Sequence, residues 1–153
     1  YLAAHLGFSV TAIDHGMGMT ELMYSSLKDA GHPLPIRVAA VDLLRLPPSD
    51  AWRFRADVVL ALSLTHHLRR GQLFPWPEMA ELFSAMTSRT LITEMKLGAP
   101  QGPCDLAIDG IDEDYTLDRF KAALSKYFPV IETVDRDLKD KSVNQRVLLV
   151  CRK

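Results

Sequence analysis

Four short runs rich in β-branched and apolar residues, each closing on an acid or a hydroxyl, constrain this chain more than any other feature. The first spans 8–14 and ends on Asp14, and the second spans 36–42 and ends on Asp42. The third spans 57–62 and is followed by Ser63, and the fourth spans 89–94 and ends on Glu94. Each reads as a β-strand. Between them lie helical patterns. Met19, Met23, Leu27 and Ala30 recur at helical spacing over 17–30, after Gly16 and Gly18 loosen the turn and before Gly31 and Pro33 stop it. Residues 75–86 form an amphipathic helix, and 1–6 read as the end of another, with Gly7 as its left-handed cap. The run at 57–62 is almost continuously apolar, which predicts a strand covered on both faces, as in a parallel sheet.

The later part of the chain reads differently. Residues 47–55 are irregular, with at most one helical turn. Residues 96–114 form a long connection containing Gly98, Pro100, Gly102, Pro103 and Gly110, a length typical of functional or mobile loops. A last helix over 115–127, capped at Thr116, turns Leu117, Phe120, Ala123 and Leu124 inward, with Phe128 packing beyond its end. Strands at 130–134 and 147–151 follow. The short polar link at 135–144 makes them antiparallel, because a parallel crossover needs a dozen or more residues, usually helical. The expected fold class is therefore α/β: one domain with a mostly parallel, Rossmann-like sheet, helices on both faces, and a C-terminal antiparallel hairpin.

Composition narrows the function. The chain has 153 residues, and 48% hydrophobic residues suit a domain with a real core. Lys and Arg number 18 against 19 Asp and Glu, so a net charge of −1 gives no reason to expect non-specific nucleic-acid binding. No stretch approaches the roughly 20 apolar residues of a membrane span. Tyr1 opens without a charged leader. Cys104 and Cys151 sit in no CxxC or Cys/His cluster, which argues against structural zinc and suits a reducing cytoplasm. A disulfide between them stays open.

Open α/β sheets bind ligands outside the carboxyl ends of their strands. Those ends carry Asp14 with His15, Asp42 with Leu43, Ser63 with Leu64 and Thr65, and Glu94. An acid at one strand end can accept both ribose hydroxyls of an adenosine. A second acid, one strand outward, can accept from an adenine amino group while the Leu43 amide donates to a ring nitrogen.

The order of these segments resembles the class I S-adenosylmethionine-dependent methyltransferases. Gly7 to Asp14 resembles their second strand, Val38 to Leu43 their third, Ala56 to Leu68 their fourth with its His66-His67-Leu68 ending, and Arg89 to Glu94 their fifth. The closing helix and hairpin resemble their C-terminal signature. The resemblance implies that Asp14, with His15 beside it, holds the ribose of S-adenosylmethionine, and Asp42 with Leu43 the adenine. Ser63 and Leu64 would line the sulfonium side, and His66 and His67 would face a small-molecule acceptor. The family's Gly-rich loop after the first strand is absent from this chain and would lie before Tyr1. The resemblance therefore implies an upstream strand, Gly-rich turn and helix, or a partner chain, that completes the sheet.

Structural readings stand beside these. Asp14 reads alternatively as a cap of the next helix, and Asp42 or Glu94 as a solvated strand end. The histidines suit fixing a turn as well as general-base chemistry, since imidazole titrates near neutral pH. Met17, Met19 and Met23 read as helix packing, Trp76 as a helix anchor, and 109–114 as a solvated acidic loop or an acceptor lid. Two other functions compete: an NAD-dependent oxidoreductase, which also places an acid after its second strand, and a non-catalytic binding module.

Overall fold

The alternation of strands and helices is present in the computed structural model, which describes residues 1–29, 33–97, 111–134 and 146–153. The chain divides into two units, Tyr1–Leu46 and Pro47–Lys153, each considered in its own right.

In the first unit a helical turn, α1 (Leu2–His5), ends at Gly7, whose φ of +87° is the left-handed cap expected there. Strands β1 (Val10–Asp14) and β2 (Ile36–Ala40) pair in parallel, in register from Val10 opposite Ile36 to Asp14 opposite Ala40. Helix α2 (Met17–Asp29) connects them. Its apolar stripe is weaker than its spacing implied. Met23 and Leu27 are half-buried, whereas Met17 and Met19 are exposed, so only Met23 of the three methionines packs. Ala30 and Gly31 lie outside the described residues.

The second unit begins with more order than a single turn. Pro48 starts a helical turn, α3 (Pro48–Ala51), where its missing N–H costs nothing, and a 3-10 turn at Trp52–Phe54 continues it. A four-stranded sheet follows in the order β3-β4-β6-β5, with β3 (Ala56–Ala61), β4 (Thr87–Lys96), β5 (Val130–Val134) and β6 (Arg146–Arg152). β3 and β4 are parallel, and β6 is antiparallel to both its neighbours. The terminal hairpin is thus antiparallel as expected; its link at 135–145 lies outside the described residues.

Helices α4 (Trp76–Met86) and α6 (Leu117–Leu124), which the short α5 (Ile111–Asp114) precedes, pack with this sheet around one core. Met79, Phe83, Phe120, Leu124 and Phe128 meet Leu91, Met95, Leu149 and Cys151. Thr116 caps α6, its hydroxyl accepting from the Arg119 amide at 3.2 Å. Lys153 donates from Nζ to the Ser84 and Thr87 carbonyls at 2.8 Å, satisfying the open end of α4. Desolvation, with Arg55 nearby, holds the Lys153 ammonium below its ordinary pKa.

β3 departs from expectation. Val59 and Ala61 face the core, but Val58, Leu60 and Leu62 on the opposite side are exposed, Leu60 by 58%. Successive strand side chains point to opposite faces, so an unbroken apolar run says nothing about whether both faces are covered. The fold is a mixed α/β arrangement with parallel pairs and an antiparallel hairpin. Among the described residues no helix is long and apolar enough to cross a membrane.

Candidate functional site

The expected site residues fall in two sets, one in each unit. In the first unit, the register that puts Asp14 opposite Ala40 places Asp42 just beyond the same end of the parallel pair. The Val41 amide donates to the Asp14 carbonyl at 2.9 Å, holding the two strand ends side by side. Both acids make the same local turn. Asp14 Oδ1 accepts from the Gly16 amide at 2.7 Å, and Asp42 Oδ1 accepts from the Leu44 amide at 3.0 Å. Each side chain is still almost half exposed, at 46% and 44%. For Asp14 this is a local turn just before α2, which begins at Met17, and it uses one carboxylate oxygen.

Around these acids, Arg45 Nε lies 3.4 Å from Asp42 Oδ2, while the exposed His15 places Nδ1 3.7 Å from Asp14 Oδ1. Leu43 is half-buried in the Asp42 turn. A small pocket beside Asp14 is lined by Ala12, Ile13, Met19, Thr20, Met23 and Val38.

In the second unit, Ser63 follows β3 at φ +52°, a left-handed conformation rare for a residue with a Cβ. Its hydroxyl lies 3.3 Å from Glu94 Oε1, and Arg146 donates from Nη1 to both. Thr65 is fully buried and donates to the Glu94 carbonyl at 2.6 Å. Leu64 packs against the core. Glu94 is thus a buried, paired group and not a solvated strand terminus.

The histidines separate by burial. His66 is buried and engaged, and His67 is exposed; their rings lie 4.0 Å apart, tilted by 38°. They open a π-turn, His67–Gly71, which is followed by Leu73 at φ +59°. π-turns are uncommon and recur at functional sites. This one is tied down. Arg69 Nη2 donates to Asp114 Oδ2 at 2.8 Å, and the Arg70 guanidinium lies 4.0 Å over the Tyr115 ring. Trp76 Nε1 donates to the Asp114 carbonyl at 3.0 Å, while its ring stacks on Phe120 at 4.6 Å. Trp76 anchors its helix as expected. Asp114 is a structural clasp, not part of a solvated loop; Asp109 lies outside the described residues.

Sequence reasoning missed Arg146, Arg69 and Asp114. Arg146 reaches Glu94 through the antiparallel pairing of β6 with β4, which no local pattern in the sequence marked. Nothing in the local pattern marked the π-turn. Among the described residues no group of three His, Cys, Asp or Glu stands together to hold a metal. Cys104 lies outside them, and Cys151 is a buried free thiol.

No protein-family model matches the chain, and no curated protein matches its sequence. Solved structures share its fold. EvdMO1 matches with a TM-score of 0.64 at 19% identity, covering 99% of this chain and 33% of that one. WbdD matches with a TM-score of 0.64 at 14% identity, covering 97% and 31%. A protein described with the conversion of a disulfide bond into a thioacetal group during echinomycin biosynthesis matches with a TM-score of 0.61 at 15% identity, covering 99% and 70%. The chain spans about a third of the length of the first two. At these identities the likeness is one of fold.

Proposed function

We propose that this chain is part of an S-adenosylmethionine-dependent methyltransferase of the Rossmann-like class, acting on a small-molecule acceptor. The observation that carries the reading is the pair of half-exposed carboxylates, Asp14 and Asp42, at the same end of two parallel strands. Asp14 would accept from the ribose hydroxyls and Asp42 from the adenine amino group, with Leu43 at the ring. Bound S-adenosylmethionine supplies an electrophilic methyl carbon whose bonding pair leaves with sulfur, so the protein has to position and desolvate more than to activate. Ser63 and Leu64, at the end of β3, are the residues assigned to that side. The exposed His67 is the better placed of the two imidazoles to take a proton from an acceptor; His66 is placed to hold the turn.

The near-zero net charge favours a small acceptor over a polyanion. Among the described residues β1 and β3 each have one strand neighbour in their own sheet, which is compatible with the further strand that the resemblance implies. Calorimetry with S-adenosylhomocysteine and with NADH separates this reading from a dinucleotide-dependent oxidoreductase. Binding of the first and not the second is expected. Binding of NADH alone rejects the methyltransferase.

A further inference from the structure

The carboxyl ends of β3 and β4 hold a polar cluster that goes beyond the lining role assigned to Ser63 above. Ser63, Glu94 and Arg146 meet there, from three different strands' ends. An ordinary cross-strand ion pair would require only Glu94 and Arg146. It would not require Ser63 to adopt φ +52°, which turns its hydroxyl into the pair. The bond from Thr65 to the Glu94 carbonyl fixes the backbone beneath the carboxylate. Lys96, directly opposite Arg146 in the ladder, is buried and has its own interactions.

The chemistry of the cluster selects its ligand. The Glu94 side chain is 10% exposed and its charge is balanced by Arg146, whose side chain is 34% exposed. Because the two charges cancel, an anion or a cation gains little by approaching. A hydroxyl group gains at both sites, since it donates one hydrogen bond and accepts another. The guanidinium carries five N–H donors, and among the described residues only Nη1 is engaged. The Ser63 hydroxyl is the exposed member and supplies a third, adaptable partner.

We propose that Ser63, Glu94 and Arg146 form a binding subsite for a hydroxyl group of a neutral ligand. Identifying that ligand as the methyl acceptor rests on the function proposed above; the subsite itself does not. If it is the acceptor, transfer is to oxygen. The hydroxyl oxygen bonds to the methyl carbon, the carbon–sulfur bonding pair stays on sulfur, and the hydroxyl proton passes to water or to a base such as His67.

Ligand-observed saturation-transfer NMR on the protein tests this with three probes: methyl α-D-glucopyranoside, phenol and sodium acetate. Signal from the glucoside or from phenol, and none from acetate, is expected; which neutral probe responds distinguishes an alcohol from a phenol. Arg146→Gln and Ser63→Gly should each weaken that binding by about tenfold or more, the scale of one lost hydrogen bond to a charged group. Ser63→Gly relieves the left-handed backbone, so it keeps the fold while removing the hydroxyl. Preference for acetate, no response from either neutral probe, or unchanged affinity in both variants overturns the proposal. S-adenosylhomocysteine binding, measured on the parent protein, reads the proposed function separately: no binding there, with the neutral probe still bound, rejects the methyltransferase and leaves the subsite standing.

Discussion

The Thr65 hydroxyl donates to the Glu94 main-chain carbonyl at 2.6 Å, and both residues are buried. That one bond ties the segment after β3 to the end of β4, so the chain entering the His66-His67 turn starts from a fixed point. Replacing Thr65 with Val keeps the shape and removes the donor. The loss should be about 1–3 kcal/mol of unfolding free energy, the cost of a buried group left unpaired. Urea denaturation of Thr65→Val measures it; a variant as stable as the parent would mean that the bond contributes nothing net.

Trp76 is the second fixed point, stacked on Phe120 and bonded to the Asp114 carbonyl. Trp76→Ala should cost about 3–5 kcal/mol, and Trp76→Phe less, because an aromatic face is retained while the N–H and part of the ring volume are lost. Equal losses in the two variants would place the stabilisation in the hydrogen bond instead of the stacking.

Why the elements were legible and the clasps were not follows from the range of each signal. The Thr116 cap and the antiparallel pairing of the strands at 130–134 and 146–152 were readable because capping and link length are local properties of a few residues. The exposure of Leu60 was not, since an apolar run looks the same whether one face or two are covered. The Arg146–Glu94 and Arg69–Asp114 pairs join residues 52 and 45 positions apart. Only the strand register brings the first pair together, and only the docking of the π-turn the second.

Cys151 gives a pH dependence. Burial raises its thiol pKa from 9.0 to about 11. In the unfolded chain the thiol ionises above its ordinary value, while in the folded chain it keeps its proton. The stability from this thiol is therefore full below pH 9.0 and is lost as pH rises to about 11. In a Cys104→Ser background, urea midpoints between these pH values should fall further for the parent than for Cys151→Ala. Parallel curves would show that the thiol does not sense folding.

The two histidines should behave differently. His67→Gln should leave stability within about 0.5 kcal/mol, as exposed substitutions do, and remove the acid limb of the methyl-transfer pH profile. His66→Gln should lower stability and leave the shape of that profile intact. If both variants keep the parent's turnover and pH profile, neither imidazole is a base.

Nucleoside binding turns on Asp14, and S-adenosylhomocysteine calorimetry on two variants tests that role. Asp14→Asn retains an oxygen for the Gly16 amide and removes the charge, whereas Asp14→Ala removes both. Both variants should stay folded, and each should lose roughly 1.5–3 kcal/mol of binding free energy, the range for hydrogen bonds to a charged group. Parent-like affinity in Asp14→Asn and Asp14→Ala, with the fold intact, would contradict that role and leave Asp14 as a turn residue alone.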